Sequence, residues 1–255
     1  MSDAARSYVV SAAAGGIGSE LVGLLLGAGA NVFACDISSR RLAALAERYA
    51  ADAARLQTLK ADTADEAGVE SVRHAALDRF AAIDGLANIA GGIVGIGADL
   101  IDRPIDRIGL DDFRQTYRLN VESAFLMTGA FVPHFRERRY GKVVNVASLA
   151  AFGNFDGMGN TGYDAAKAAV VGMTQTLARS LGPSGIRVNV VAPGSVFTER
   201  VQASFSVEFV EMQKRRIPLQ RHTGPRDVAE ALAFFLSAAS DQISGETLRV
   251  SGGLR

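Results

Sequence analysis

Tyr163 and Lys167 stand four residues apart in the run TGYDAAKAAVVG, residues 161–172. On a helix, that spacing puts a phenol and an ammonium on one face. The rest of the run is mostly Ala, Val and Gly, which predicts a helix pressed against other structure. A free phenol titrates near ~10 and is a poor base at neutral pH. A cation one turn away favours the phenolate, so the pair is suited to moving a proton to or from a hydroxyl group. The same spacing also occurs between solvated neighbours, and the rest of the chain has to decide between the two.

A second cluster lies in VVSAAAGGIGSELVG (9–23), with strand-like residues before it and an amphipathic run after it. Gly16 and Gly18 leave room for a pyrophosphate at the N-terminus of the following helix. The next strand-like run, NVFACD (31–36), ends in Asp36, about 20 residues past the loop, where a carboxylate accepts hydrogen bonds from an adenosine ribose. Neither Gly15 nor Ile37 supplies a cation for a 2′-phosphate, and Arg40 and Arg41 read as capping or solvating the next helix. The pattern favours NAD over NADP. GGIVGIG (91–97) has a similar glycine spacing, but acids and Pro104 follow it in place of a clean helix start. It reads as a flexible loop beside the cofactor.

These groups need a frame. Apolar runs at 7–12, 31–36, 56–62, 84–91, 141–148, 185–194 and 246–253 read as strands. Runs at 19–30, 39–50, 68–80, 110–139, 163–182 and 225–240 read as helices. The alternation predicts an α/β fold, a doubly wound parallel seven-stranded sheet with helices on both faces and right-handed crossovers. With no linker or repeat, residues 1–255 read as a single domain. Lys and Arg total 27, as do Asp and Glu, so no net field draws the chain to nucleic acid or an anionic membrane. The lone Cys35 fits a reducing compartment and reads as a core thiol. No run is long enough to span a bilayer, and the first residues lack a signal-peptide layout. The expected location is the cytoplasm. His74, His134 and His222 are far apart, and no metal site is expected.

Six motifs in order resemble the short-chain dehydrogenase/reductase family over nearly the whole chain. They are SAAAGGIG (11–18), NIAG (88–91), the helix residue Asn120, Tyr163 with Lys167, PGSVFT (193–198) and GETLRVSGG (245–253). The resemblance implies a single-domain Rossmann fold, a homotetramer, and NAD(H)-dependent interconversion of a small secondary alcohol and its ketone. It implies that Tyr163 is the general acid/base, that Lys167 lowers its pKa and holds the nicotinamide ribose, and that Ser148 bonds the substrate oxygen. Asn120 would hold a water connecting Lys167 to solvent. Ser11, Gly16, Ile17, Gly18, Asp36, Asp62, Thr63, Asn88, Ala90, Gly91, Pro193, Gly194, Val196 and Thr198 would line the cofactor, with Asp62 at the adenine and Val196 and Thr198 near the carboxamide.

Three departures from the family stand out. Ser11 and Ala12 replace Thr-Gly, and the methyl of Ala12 predicts a tighter turn. Ile89 replaces an Asn, which removes a side-chain hydrogen bond near the sheet centre. The interval from Ser148 to Tyr163 is longer than usual, which enlarges a loop beside the substrate. Loop 149–162 and segment 195–216 offer Phe152, Phe155, Met158, Phe197, Val201, Phe205 and Phe209, which suggest an apolar pocket under a lid or else anchors and subunit contacts. Lys214, Arg215 and Arg216 end that segment and read as a handle for an anion or a solvated helix end. Two other readings stay open: a 3-oxoacyl-carrier-protein reductase, and a protein that senses NAD without turnover.

Overall fold

The computed structural model describes residues 5–93, 105–153, 160–196 and 205–254. Its strands are β1 (Ser7–Ser11), β2 (Asn31–Asp36), β3 (Leu56–Lys60), β4 (Gly85–Asn88), β5 (Gly141–Val146), β6 (Ile186–Pro193) and β7 (Thr247–Val250). They form one sheet in the order β3-β2-β1-β4-β5-β6-β7, every neighbouring pair parallel. All seven strands coincide with the apolar runs of the sequence. Such runs are nearly continuous because helices cover both faces of a parallel sheet.

The helices are α1 (Gly16–Gly27), α2 (Ser39–Arg48), α3 (Glu66–Phe80), α4 (Leu110–Tyr117), α5 (Ser123–Arg138), α6 (Thr161–Leu181), α7 (Val207–Arg216) and α8 (Pro225–Leu236). Successive residues of β1 serve opposite faces. Val10 packs with Leu21 and Val22 of α1 and Leu232 and Phe235 of α8. Val9 packs with Val72 of α3 and Met127, Phe131 and Phe135 of α5. A smaller cluster joins Val190 and Ala192 of β6 to Ala166 and Val170 of α6. Cys35 is fully buried, and burial pushes its thiol up to about 12, as befits a core residue.

Two elements differ from the sequence reading. The long helix expected over 110–139 is interrupted by a π turn at Arg118–Glu122 that carries Asn120. Segment 205–216, read as part of a lid, contains a regular helix, α7, capped by the Ser206 hydroxyl on the Phe209 amide. Among the described residues, no helix is long and apolar enough to cross a membrane and no cluster could hold a metal ion.

Candidate active site

The strand order reverses between β1 and β4, and the candidate residues gather at the C-terminal ends of the strands around that point. In open α/β sheets ligands bind at such a point, because the connections leave the two strands in opposite directions.

Ala12 starts the turn after β1 and holds φ at +48°, a left-handed conformation that suits glycine better than alanine. The tighter turn expected from its methyl is therefore a backbone forced into the left-handed region. A Cβ on Gly18 would lie 2.3 Å from the Ala12 carbonyl oxygen, so only glycine lets α1 sit this close to the loop. Gly16 and Ile17 form the first turn of α1, which has no acidic residue and no side-chain cap. Ser11 points elsewhere. It is fully buried, and its hydroxyl accepts from the amides of Ile89 (3.0 Å) and Ala90 (3.2 Å) and donates to the Ala87 carbonyl (3.4 Å). It fastens the loop after β4 to β1. Ile89 lies in the apolar cluster with Val10 and Val144, so the departure from Asn adds core in place of a polar bond.

Asp36 is buried at the end of β2. Its carboxylate accepts from the Ala14 amide (3.2 Å), the Ser38 amide (2.9 Å) and the Arg41 guanidinium (2.8 Å). Arg41, read from sequence as capping or solvating the next helix, is thus seated on the proposed ribose acceptor, brought there by the Ser38-capped turn between β2 and α2. Asp62, after β3, accepts from the Ala64 amide (2.9 Å) and from Arg118 (3.2 Å). Thr63 is buried with its hydroxyl 2.7 Å from that of Ser123 on α5.

The sequence pair that opened the reading lies on α6. Asn160 caps the helix by accepting from the Tyr163 amide at 3.0 Å, which sets where the helix begins and hence where Tyr163 points. Lys167 is fully buried, its Nζ 2.8 Å from the Val146 carbonyl at the end of β5 and 5.6 Å from the centre of the Tyr163 ring. Burial lowers its pKa to about 7, because an ammonium there has lost its water. Ser148, two residues beyond β5, is half-buried and accepts from the Ala150 amide at 3.2 Å. Its hydroxyl hydrogen is not used in that bond.

Asn120 reaches the same place from the π turn. Its Oδ1 accepts from the Gly92 amide (2.9 Å), and its Nδ2 donates to the carbonyls of Gly92 and Thr116 (2.8 Å each). The sequence marked Asn120 but carried no sign that Gly92 is its partner. A Cβ on Gly91 would lie 2.6 Å from Asn120 Oδ1 and 2.8 Å from Lys167 Nζ. The loop after β4, the π turn and α6 therefore converge on one glycine. Asn88 faces inward and donates to Thr128 (3.0 Å) and Asn145 (2.9 Å).

Pro193 ends β6, Gly194 donates to the Val250 carbonyl at 2.9 Å, and Val196 bridges to Thr223. Of the aromatics expected around the substrate, Phe152 lies 4.1 Å beneath the Arg249 guanidinium, and Phe205 stacks on Phe209 at 4.8 Å. Thr198, Phe155, Met158, Phe197 and Val201 lie outside the described residues.

The described residues fit a dinucleotide: an α1 N-terminus approached through glycines and an acid at the end of β2, both beside the point where the strand order reverses. Beside that cradle stand a phenol, a buried amine and a hydroxyl. Fold and site together define a dinucleotide-binding oxidoreductase.

Comparison with known proteins agrees. A family model described as Enoyl-(Acyl carrier protein) reductase matches residues 12–255. A 3-oxoacyl-[acyl-carrier-protein] reductase of Thermotoga maritima is 31% identical over 96% of this chain and 96% of its own. The 7alpha-hydroxysteroid dehydrogenase of Escherichia coli is 29% identical over 97% of this chain and 93% of its own. A 3-oxoacyl-[acyl-carrier protein] reductase with bound NAD from Brucella melitensis superposes with a TM-score of 0.87 at 27% identity, covering 98% of this chain and 90% of that one. The chain belongs to the short-chain dehydrogenase/reductase family and is an oxidoreductase acting on a small-molecule substrate.

Proposed function

We propose that this protein interconverts a secondary alcohol and its ketone with NAD(H), with Tyr163 as general acid/base. The observation that carries the proposal is the convergence of buried Lys167 and Asn120 on Gly91, with the Tyr163 ring over the Lys167 amine. When bound, the nicotinamide accepts or donates the hydride. Tyr163 takes the proton from the substrate oxygen in one direction and returns it in the other. Protonated Lys167 favours the phenolate and would hold the nicotinamide ribose when the cofactor is bound. The Ser148 hydroxyl donates to the substrate oxygen as negative charge develops on it. The side-chain amide of Asn120 is spent on Gly92 and Thr116, which ties the loop after β4 to the π turn. The π turn breaks the usual helical pairing at that point.

Asp36 supports NAD, as does the NAD-bound relative. Gly16, Ile17 and Gly18 would meet the pyrophosphate, Asp62 the adenine, and Gly194, Val196 and Thr198 the nicotinamide end. Ser11, Thr63 and Asn88 contribute by holding the loops that do so, and Ala90 and Gly91 by shaping the wall. Residues 1–255 act as one domain, in a homotetramer and in the cytoplasm. Phe125 on α5 is 61% exposed, and Phe234 on α8 and Leu248 on β7 are also exposed, which supports burial against further copies. One alternative substrate has specific support. The run Lys214–Arg216 closing α7 would suit the phosphate of an acyl carrier.

The test is NADH formation from NAD+ over a panel of secondary alcohols, with 3-oxoacyl thioesters assayed in the reductive direction. Turnover that Tyr163→Phe abolishes, with NADH binding retained, is the expected result. A Tyr163→Phe variant working at the wild-type rate would refute the mechanism.

A further inference from the structure

We propose that Thr174 is a positioning residue: as the end of a buried polar ladder, Thr128–Asn88–Asn145–Thr174, it fixes where α6 sits along β5 and thereby where Tyr163 and Lys167 stand in the site. The catalytic part of this inference rests on the function proposed above.

The ladder crosses two strands and two helices. Asn88 on β4 and Asn145 on β5 are register partners in the sheet. Asn88 Nδ2 donates to Asn145 Oδ1 (2.9 Å) and to Thr128 Oγ1 on α5 (3.0 Å), and Asn145 Nδ2 donates to Thr174 Oγ1 on α6 (2.9 Å). Both hydroxyls donate back along their own helices, Thr128 to the Ala124 carbonyl (2.7 Å) and Thr174 to the Val170 carbonyl (2.9 Å). With their hydrogens spent, both threonines serve the sheet amides as acceptors. None of the four residues is more than 3% exposed. Each element of the ladder carries part of the site. The π turn with Asn120 runs directly into α5, β4 leads to Gly91, β5 leads to Val146 and Ser148, and α6 holds Tyr163 and Lys167.

The other described contacts of α6 leave its axial position loose. Ala166 and Val170 pack on Val190 and Ala192 of β6, and apolar contact is non-directional. Lys167 reaches the Val146 carbonyl through a long, flexible stem that can follow a sliding helix. Thr174 lies seven residues on, on the same face, with a short branched side chain held by its bond to Val170. A slide of α6 would part it from Asn145 and leave a buried amide unsatisfied. The ladder also leaves Asn88 Oδ1 buried without a partner among the described residues. Apolar side chains of the same shape would carry no such cost, so filling space does not account for these amides. Fixing the register of the helices on the sheet does.

The experiment compares wild type with Thr174→Val, which keeps the shape and removes the hydroxyl, and with Thr174→Ser, which keeps the hydroxyl. It reads crystal structures, thermal melts, NADH titration, and NADH formation from NAD+ with the best alcohol of the panel above. In Thr174→Val, α6 should shift along β5 by about 1 Å and kcat should fall about 10- to 100-fold, with KM and NADH affinity within about threefold of wild type. The acid limb of its pH profile should move to higher pH, because Lys167 draws away from the Tyr163 phenolate. Thr174→Ser should restore both. A folded Thr174→Val with α6 in place, or with wild-type kcat and acid limb, would overturn the proposal, as would a Thr174→Ser as impaired as Thr174→Val. If Thr174→Val does not fold, Thr174→Ala, which sets no methyl against Asn145 in place of the hydroxyl, is judged by the same outcomes. If wild type turns over no alcohol, the proposed function falls, and the position of α6 in the variant structures decides the ladder by itself.

Discussion

Replacing Lys167 by Met tests the electrostatics of the site without relying on turnover. The substitution keeps most of the side-chain volume and removes the amine. Burial lowers the Lys167 pKa from 10.5 to about 7. At 1.36 kcal/mol per unit, that amounts to at most about 5 kcal/mol by which the folded protein disfavours the ammonium. The sign follows from proton counting. Below pH 7 the lysine is charged in both states, and folding bears the whole burial cost. Between about 7 and 10.5 the unfolded chain holds a proton that the folded chain has lost, so this residue makes stability rise with pH. Lys167→Met lacks that slope. The variant also leaves the Val146 carbonyl without its donor, an offset that does not depend on pH. Urea unfolding of both proteins in cofactor-free form, at steps from pH 6.5 to 9.5, should show the stability difference drifting in favour of wild type by up to about 1.4 kcal/mol per pH unit. Parallel curves would mean that the amine keeps its proton through the alkaline range, and would refute the argument from lost solvation. The same titration bears on catalysis, because the neutral amine no longer favours the Tyr163 phenolate.

Gly91→Ala places a methyl against buried Asn120 and Lys167, and a displacement of about 1 Å there should cost roughly 100-fold in kcat/KM together with about 1–3 kcal/mol of stability; steady-state kinetics and denaturant unfolding check it. Ala12→Gly relieves a left-handed alanine that costs about 1–2 kcal/mol, offset by about 0.5–1 kcal/mol of added chain entropy, so denaturant unfolding should show a net gain of about 0.5–1 kcal/mol. His134 accepts from the Ile83 amide at 3.0 Å, and burial, with Arg138 nearby, lowers its pKa. As pH falls below about 6.5 the unfolded chain takes up a proton before the folded one, so stability is lost on acidification. His134→Gln should flatten that loss in unfolding curves taken between about pH 7 and 5.

Several structural features were legible in the order of residues because they depend on neighbours along the chain. Short apolar runs located the seven strands. The glycines after the first strand, the acid at the end of the second and the i, i+4 spacing of Tyr163 and Lys167 are local patterns tied to one turn or one helix. What remained hidden depends on which distant segments the sheet brings together. Asn120 spends its side chain on Gly92 because a π turn in one helix meets the loop of another unit. Lys142 on β5 is buried against Ser240 and pairs with the exposed Asp241 near the end of the chain, and nothing in GKVVNVAS distinguishes it from a surface lysine. Arg41 is a local exception: only five residues from Asp36, it settles on that acid because α2 begins where β2 stops, with Ser38 capping the turn between them. Hydrogen bonds within a turn or helix follow from spacing, but pairings across the sheet follow from strand order and packing, so only the folded chain could show where these polar groups find partners.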